Sequence, residues 1–127
     1  MKVRKELGDW GERLAADYLR RQGYIIRDTK FRCPVGEIDI VAEKGQYLVF
    51  VEVRTKRGQA FGTPEESVTL SKAEKLVELA HTYLQTHDGL PPFWRIDVVA
   101  VELTSRGRLS RVELIENAVS DIGDRRW

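Results

Sequence analysis

The sequence is poor in the residues that usually build soft metal and redox sites. Cys33 is its one cysteine, and His81 and His87 are its two histidines. A lone thiol excludes an internal disulfide and leaves no thiolate set for a metal, so Cys33 reads as an inert small residue beside a turn. The histidines fall six positions apart in one predicted helix, which does not bring two ligands to one face. Charge of one sign is missing as well: 21 Lys and Arg against 20 Asp and Glu leave +1. Bulk electrostatics therefore neither demand nor exclude a polyanionic partner. No apolar run reaches membrane-spanning length, and Met1 to Glu6 carries no signal-peptide apolar core. The cytoplasm is the expected compartment, with no membrane partner. Internal repeats, low-complexity tracts and linkers are absent too. What remains is 127 residues of ordinary composition, 42% hydrophobic and 32% charged, enough for one domain with a real core.

Two apolar runs organise that domain. Gly36 to Ala42 and Leu48 to Arg54 are rich in β-branched and aromatic residues, and Glu43-Lys44-Gly45-Gln46 between them is short enough for a hairpin. Alternation places Ile38, Ile40, Val49, Val51 and Val53 on one face, with Glu37, Asp39, Phe50, Glu52, Arg54 and Lys56 on the other. Acids inside apolar strands are costly to bury without a partner. A hard divalent cation would make Asp39 and Glu52 favourable together.

Around this hairpin the other elements follow. Asp9 to Gln22 reads as a helix, with Asp9 and Glu12 in capping-box spacing and Gly23 as its stop. Trp10, Leu14, Ala15, Tyr18 and Leu19 share its apolar face. Glu12 lies at the edge of that face: spacing alone favours capping, the alternative being a third carboxylate overhanging the hairpin. Tyr24 to Arg32 reads as an edge strand or one with a solvated face. Thr55 to Pro64 reads as a basic, glycine-bearing loop, without the P-loop pattern. Ser71 to His87 is the clearest helix, capped by Ser71 and Glu74; Lys72 in its first turn reads as a solvated lysine, the alternative being a turn toward the sheet. Phe93 to Leu103 reads as a central strand in which Asp97 pairs locally with Arg95, and Leu109 to Ile115 as an edge strand. The order αβββαββ describes a single mixed α/β domain over residues 1–118, its sheet flanked by helices, followed by a polar tail over 119–127 that Trp127 helps to order.

Asp39, twelve intervening residues and then Glu52-Val53-Arg54 resemble the Asp…(Asp/Glu)-x-Lys signature of the restriction-endonuclease-like nuclease superfamily. The resemblance is closer still to the YraN-like bacterial family. It runs through Gly11-Glu12, Gly23-Tyr24, Gly36-Glu37-Ile38-Asp39, Val49 to Arg54, Lys72, Arg95-Ile96-Asp97 and Asn117-Ala118, nearly the whole chain. It implies a restriction-endonuclease-like fold similar to that of archaeal Holliday-junction resolvases. It further implies metal-assisted phosphodiester hydrolysis, in which Asp39 and Glu52, with Glu12 and the Val53 carbonyl, hold Mg2+ or Mn2+. Arg54 stands where the superfamily has lysine. Arginine stays protonated, so it can stabilise a phosphate but not act as a base. Lys56, two residues on, is the expected partner in that role.

Of the basic groups, Arg27, Lys30 and Arg32 on one side of the hairpin and Arg54 to Arg57 on the other would suit phosphate contacts, as would Lys72. The leading expectation is a metal-dependent endonuclease acting on DNA, branched DNA included, as a homodimer. A nucleic-acid-binding protein of the same fold without hydrolytic activity is the second. A protein-interaction module whose acids only pair with Arg54, Lys56 and Lys72 is the third.

Overall fold

The computed structural model describes residues 2–58 and 62–119, with side chains from residue 5 onward. The tail beyond Val119, with Arg125, Arg126 and Trp127, and the loop tip at 59–61 lie outside the described residues. Helix α1 (Lys2–Arg21) leads into β1 (Ile25–Cys33), β2 (Gly36–Lys44) and β3 (Tyr47–Arg57). A 3-10 turn (Glu65–Ser67), α2 (Leu70–Thr86), β4 (Phe93–Leu103) and β5 (Leu109–Ile115) follow. This is the expected order, a single-domain α/β fold consistent with a nuclease-like core. The sheet order is β1-β2-β3-β4-β5, with β3 and β4 parallel and every other pair antiparallel. The parallel pair follows from the α2 crossover, because a tight turn can only join antiparallel strands.

Each helix covers one face of the sheet. Ala15, Ala16 and Leu19 of α1 pack with Ile40, Ala42, Val49, Val51, Val99 and Val101. Ala73, Leu76, Val77, Leu79, Ala80 and Tyr83 of α2 pack with Ile38, Val41, Leu48, Phe50 and Ile96. β1 and β5, the expected edges, are the edges. No helix among the described residues is long and apolar enough to cross a membrane.

Several expectations need correction. Helix α1 begins well before Asp9, so Asp9 and Glu12 sit inside it and cap nothing; Asp9 instead accepts from Lys5 one turn earlier and from Lys30 of β1. The cap of α2 is Thr69, whose Oγ1 accepts the Lys72 N–H at 3.1 Å, not Ser71. β3 continues through Thr55, Lys56 and Arg57, which read as loop, because the parallel ladder with β4 runs on to Arg57↔Leu103. Ile38 and Ile40 do not share a face: Ile38 packs under α2 and Ile40 under α1. The β2–β3 ladder stops at Ile40↔Val51, and from Asp39 toward Gly36 β2 pairs with β1 alone. That parting of two strands makes the site.

Candidate metal and phosphate site

Where β2 leaves β3, a cleft of about 600 Å³ opens. Glu37 and Asp39 of β2, Glu52 and Arg54 of β3, Glu12 of α1 and Lys72 of α2 line it. The Asp39 carboxylate accepts the Val53 N–H at 2.8 Å, replacing the ladder bond that the parted strand no longer supplies. A strand residue points its N–H and C=O to the same side, so the Val53 carbonyl faces the same gap. Glu52, only 3% exposed, is held at 3.1 Å by Arg54 Nη1 and faces Lys72 Nζ at 3.6 Å. Burial pushes the Asp39 carboxyl up to about 8; the charges of Glu52 and Glu12 add to the rise, and the Val53 N–H opposes it.

Glu12 reaches this cleft because α1 lies almost on the strand. A Cβ at Gly11 would stand 2.1 Å from Thr55 Oγ1, so only glycine permits the approach. Once there, Glu12 pairs with Lys30 at 2.9 Å, and the same ammonium holds Asp9 at 2.9 Å. Lys30 adopts φ of 54° between the pairs Thr29↔Ile40 and Phe31↔Ile38, directly across from Asp39. The expected third carboxylate is thus in the cleft but turned to a lysine. Among the described residues, no three His, Cys, Asp or Glu side chains stand close enough to hold a metal by themselves. The Asp39–Glu52 pair with the Val53 carbonyl offers a smaller, all-oxygen donor set, the kind a hard divalent cation takes when it keeps several waters.

The other expected residues divide. Lys72 is in the cleft, turned to the sheet rather than solvated. Arg32, exposed, pairs with Glu37 at the cleft rim. Lys56 is not in the cleft: its ammonium donates to the Gly62 carbonyl and lines a neighbouring cavity. Arg27 is drawn into Glu43 and the Tyr83 hydroxyl, and Arg57 into the Ser105 carbonyl, so neither faces the acids. Asp97 pairs with Arg95 at 3.0 Å as expected, and also accepts the Asn117 N–H at 2.8 Å. It secures the last strand and takes no part in the cleft. The residues that the sequence reading missed are Thr55 and Ser67; Ser67 accepts from Arg54 Nε at 2.9 Å. The Gly11-Glu12 pair was the available signal for the first of these.

Fold and site together define a single-domain α/β protein with a carboxylate cleft at a strand parting. Residues 11–101 match the description of Uncharacterised protein family UPF0102. A UPF0102 protein of Dehalococcoides mccartyi is 49% identical over 120 residues, covering 93% of this chain and 96% of that protein. Relatives from Roseiflexus castenholzii (48% over 120 residues, 93% and 96% covered) and Moorella thermoacetica (46% over 116 residues, 91% and 97%) carry the same family name. The chain belongs to this family, the YraN-like family whose pattern it carries.

Proposed function

We propose that this protein is a divalent-metal-dependent endonuclease acting on phosphodiester bonds in DNA, branched DNA in particular. The observation that carries the reading is the charge balance of the cleft. Four carboxylates, Glu12, Glu37, Asp39 and Glu52, face two cations, Arg54 and Lys72. An excess of negative charge disfavours a phosphodiester, and one divalent cation on Asp39 and Glu52 cancels that excess. When bound, magnesium or manganese supplies Lewis-acid polarisation of the phosphoryl oxygens and a more acidic water. The chain's own groups do the rest. Asp39 is fixed by the Val53 N–H, while Arg54 brings a permanent positive charge and Lys72 a rotatable ammonium to Glu52. Lys72 is therefore the lysine of this cleft, in the role that Arg54 cannot fill.

A second reading, a nucleic-acid-binding protein without hydrolysis, is favoured by one observation: Glu52 and Glu12 are already neutralised, by Arg54 with Lys72 and by Lys30. Incubation of a four-way junction, linear duplex and single strands with manganese or EDTA separates the two. Manganese-dependent nicking by wild type that Asp39→Asn loses is the expected result. Binding by both proteins with no nicking of any substrate would leave the second reading standing and remove the first.

A further inference from the structure

A second cavity, of about 370 Å³, opens beside the carboxylate cleft and shares Val53, Arg54 and Thr55 with it. Lys56, Thr63, Pro64 and Ser67 complete its wall. The two spaces adjoin but differ in chemistry. Four carboxylates line the first and none lines the second, whose wall carries two cations and three hydroxyl-bearing residues. We propose that the second cavity seats a neighbouring backbone phosphate of the nucleic acid whose reacting phosphate lies in the carboxylate cleft. The inference rests on the nucleic-acid reading above and gives it a direction: the strand runs from Asp39 and Glu52 along the end of β3 toward the 3-10 turn.

Arg54 is the joint between the two spaces. Its Nη1 donates to Glu52 in the cleft at 3.1 Å, while Nε and Nη2 donate to Ser67 Oγ and the Ser67 carbonyl in the far wall at 2.9 and 3.0 Å. Among the described residues three of its five donors are used, and two remain for phosphate oxygens. A lysine here is a point charge that serves one space; the planar fork spans both, which gives a reason for arginine at this position. Among the described residues Lys56 donates to the Gly62 carbonyl alone, which leaves two N–H groups for a phosphate.

The wall is also tied together by its own hydrogen bonds. Thr63 and Glu66 bond reciprocally, the Thr63 N–H donating at 2.7 Å and Thr63 Oγ1 accepting at 3.3 Å. Arg111 of β5 grips both Glu65 oxygens, at 3.0 and 2.7 Å. A preformed wall lowers the ordering cost of binding.

The test measures binding by fluorescence anisotropy over a salt series, in calcium to hold back turnover. The probe is a labelled oligonucleotide duplex carrying one uncharged methylphosphonate, moved a position at a time. The proteins are wild type, Lys56→Gln and Lys56→Arg, each first checked for an unchanged melting temperature. Lys56→Gln should weaken binding of the unmodified duplex about tenfold and lower the salt slope by about 0.9, the loss of one phosphate contact, with Lys56→Arg close to wild type. One methylphosphonate position should weaken wild type to the same degree and leave Lys56→Gln unaffected. Additive losses at every position would overturn the subsite while leaving the nuclease reading intact. Failure of wild type to bind any DNA would remove both.

Discussion

Asp39→Asn should make this protein more stable, not less. Burial, then the charges of Glu52 and Glu12, lift the Asp39 carboxyl from 3.8 to about 8, while Asn has no charge to suppress. In the unfolded chain the group ionises near 3.8. A group whose folded pKa lies above its unfolded value gives full stability below the unfolded value and loses it as pH rises to the folded one. Between pH 3.8 and 7 the loss is about 1.4 kcal/mol per unit, a ceiling of about 4 kcal/mol. Local relaxation and water entering the open cleft reduce this to about 2 kcal/mol, or about 8 °C in melting temperature for a chain of this size. The assay is thermal unfolding by circular dichroism in EDTA at pH 4, 6 and 8. The two proteins should coincide near pH 4, and the variant should pull ahead to a plateau by pH 8. Manganese should then stabilise wild type and not the variant, more so at higher pH because the ion displaces a proton. A variant less stable at pH 7, or an offset that ignores pH, would refute the electrostatic account of the pair.

Three further outcomes are expected. Gly11→Ala should cost about 1–3 kcal/mol, because its Cβ meets Thr55 Oγ1 at 2.1 Å, and adding Thr55→Ala should recover most of the loss in urea unfolding. Arg111 holds the Glu65 carboxyl down to about 2 from 4.5, a contribution present above pH 4.5 and lost as pH falls toward 2. Glu65→Gln should therefore be less stable than wild type at pH 7, the gap closing at pH 2; a gap that persists there would contradict the pairing. Asp97→Ala should cost about 3–5 kcal/mol by leaving half-buried Arg95 without its carboxylate and the Asn117 N–H without its acceptor, and a measured loss under about 1 kcal/mol would mark the pair as dispensable.

Much of the fold was legible because its periodicities are clean: β4 and β5 occupy the bounds their apolar patterns suggest, and α2 differs by one residue at each end. The errors have local causes. The Asp9 and Glu12 spacing imitates a cap, but α1 starts at Lys2 and Asp9 is paired with Lys5 one turn earlier. Lys56 and Arg57 look like loop, but a parallel neighbour accepts their backbone. In the cleft, hairpin alternation sets Asp39 beside Glu52, but the alternation breaks at Asp39 itself, with Ile38 under α2 and Ile40 under α1. It is the parting of β2 from β3 that turns Asp39 to the Val53 N–H. The Lys30–Glu12 pair could not be read from the sequence. It depends on a left-handed lysine in an edge strand and on a glycine that lowers a helix onto β3, and neither leaves a periodic trace. Arg27 and Arg57 were misplaced for the opposite reason: a basic cluster in sequence does not reveal which of its members find a carboxylate or carbonyl nearby.

The same geometry decides how the site should be probed. Asp39 has two functions that a truncation would remove together: it presents a carboxylate to Glu52, and it accepts the Val53 N–H where β2 has left the sheet. Alanine would leave that N–H without its acceptor, a loss of about 1–3 kcal/mol where it is shielded from water, and would disturb the carbonyl that faces the same gap. Inactivity of Asp39→Ala would then follow from local collapse as readily as from a lost metal ligand. Asparagine keeps an oxygen for Val53 and offers an N–H to Glu52 while deleting the charge. A protein that is inactive and blind to manganese, yet more stable than wild type at pH 8, can only have lost the carboxylate's chemistry.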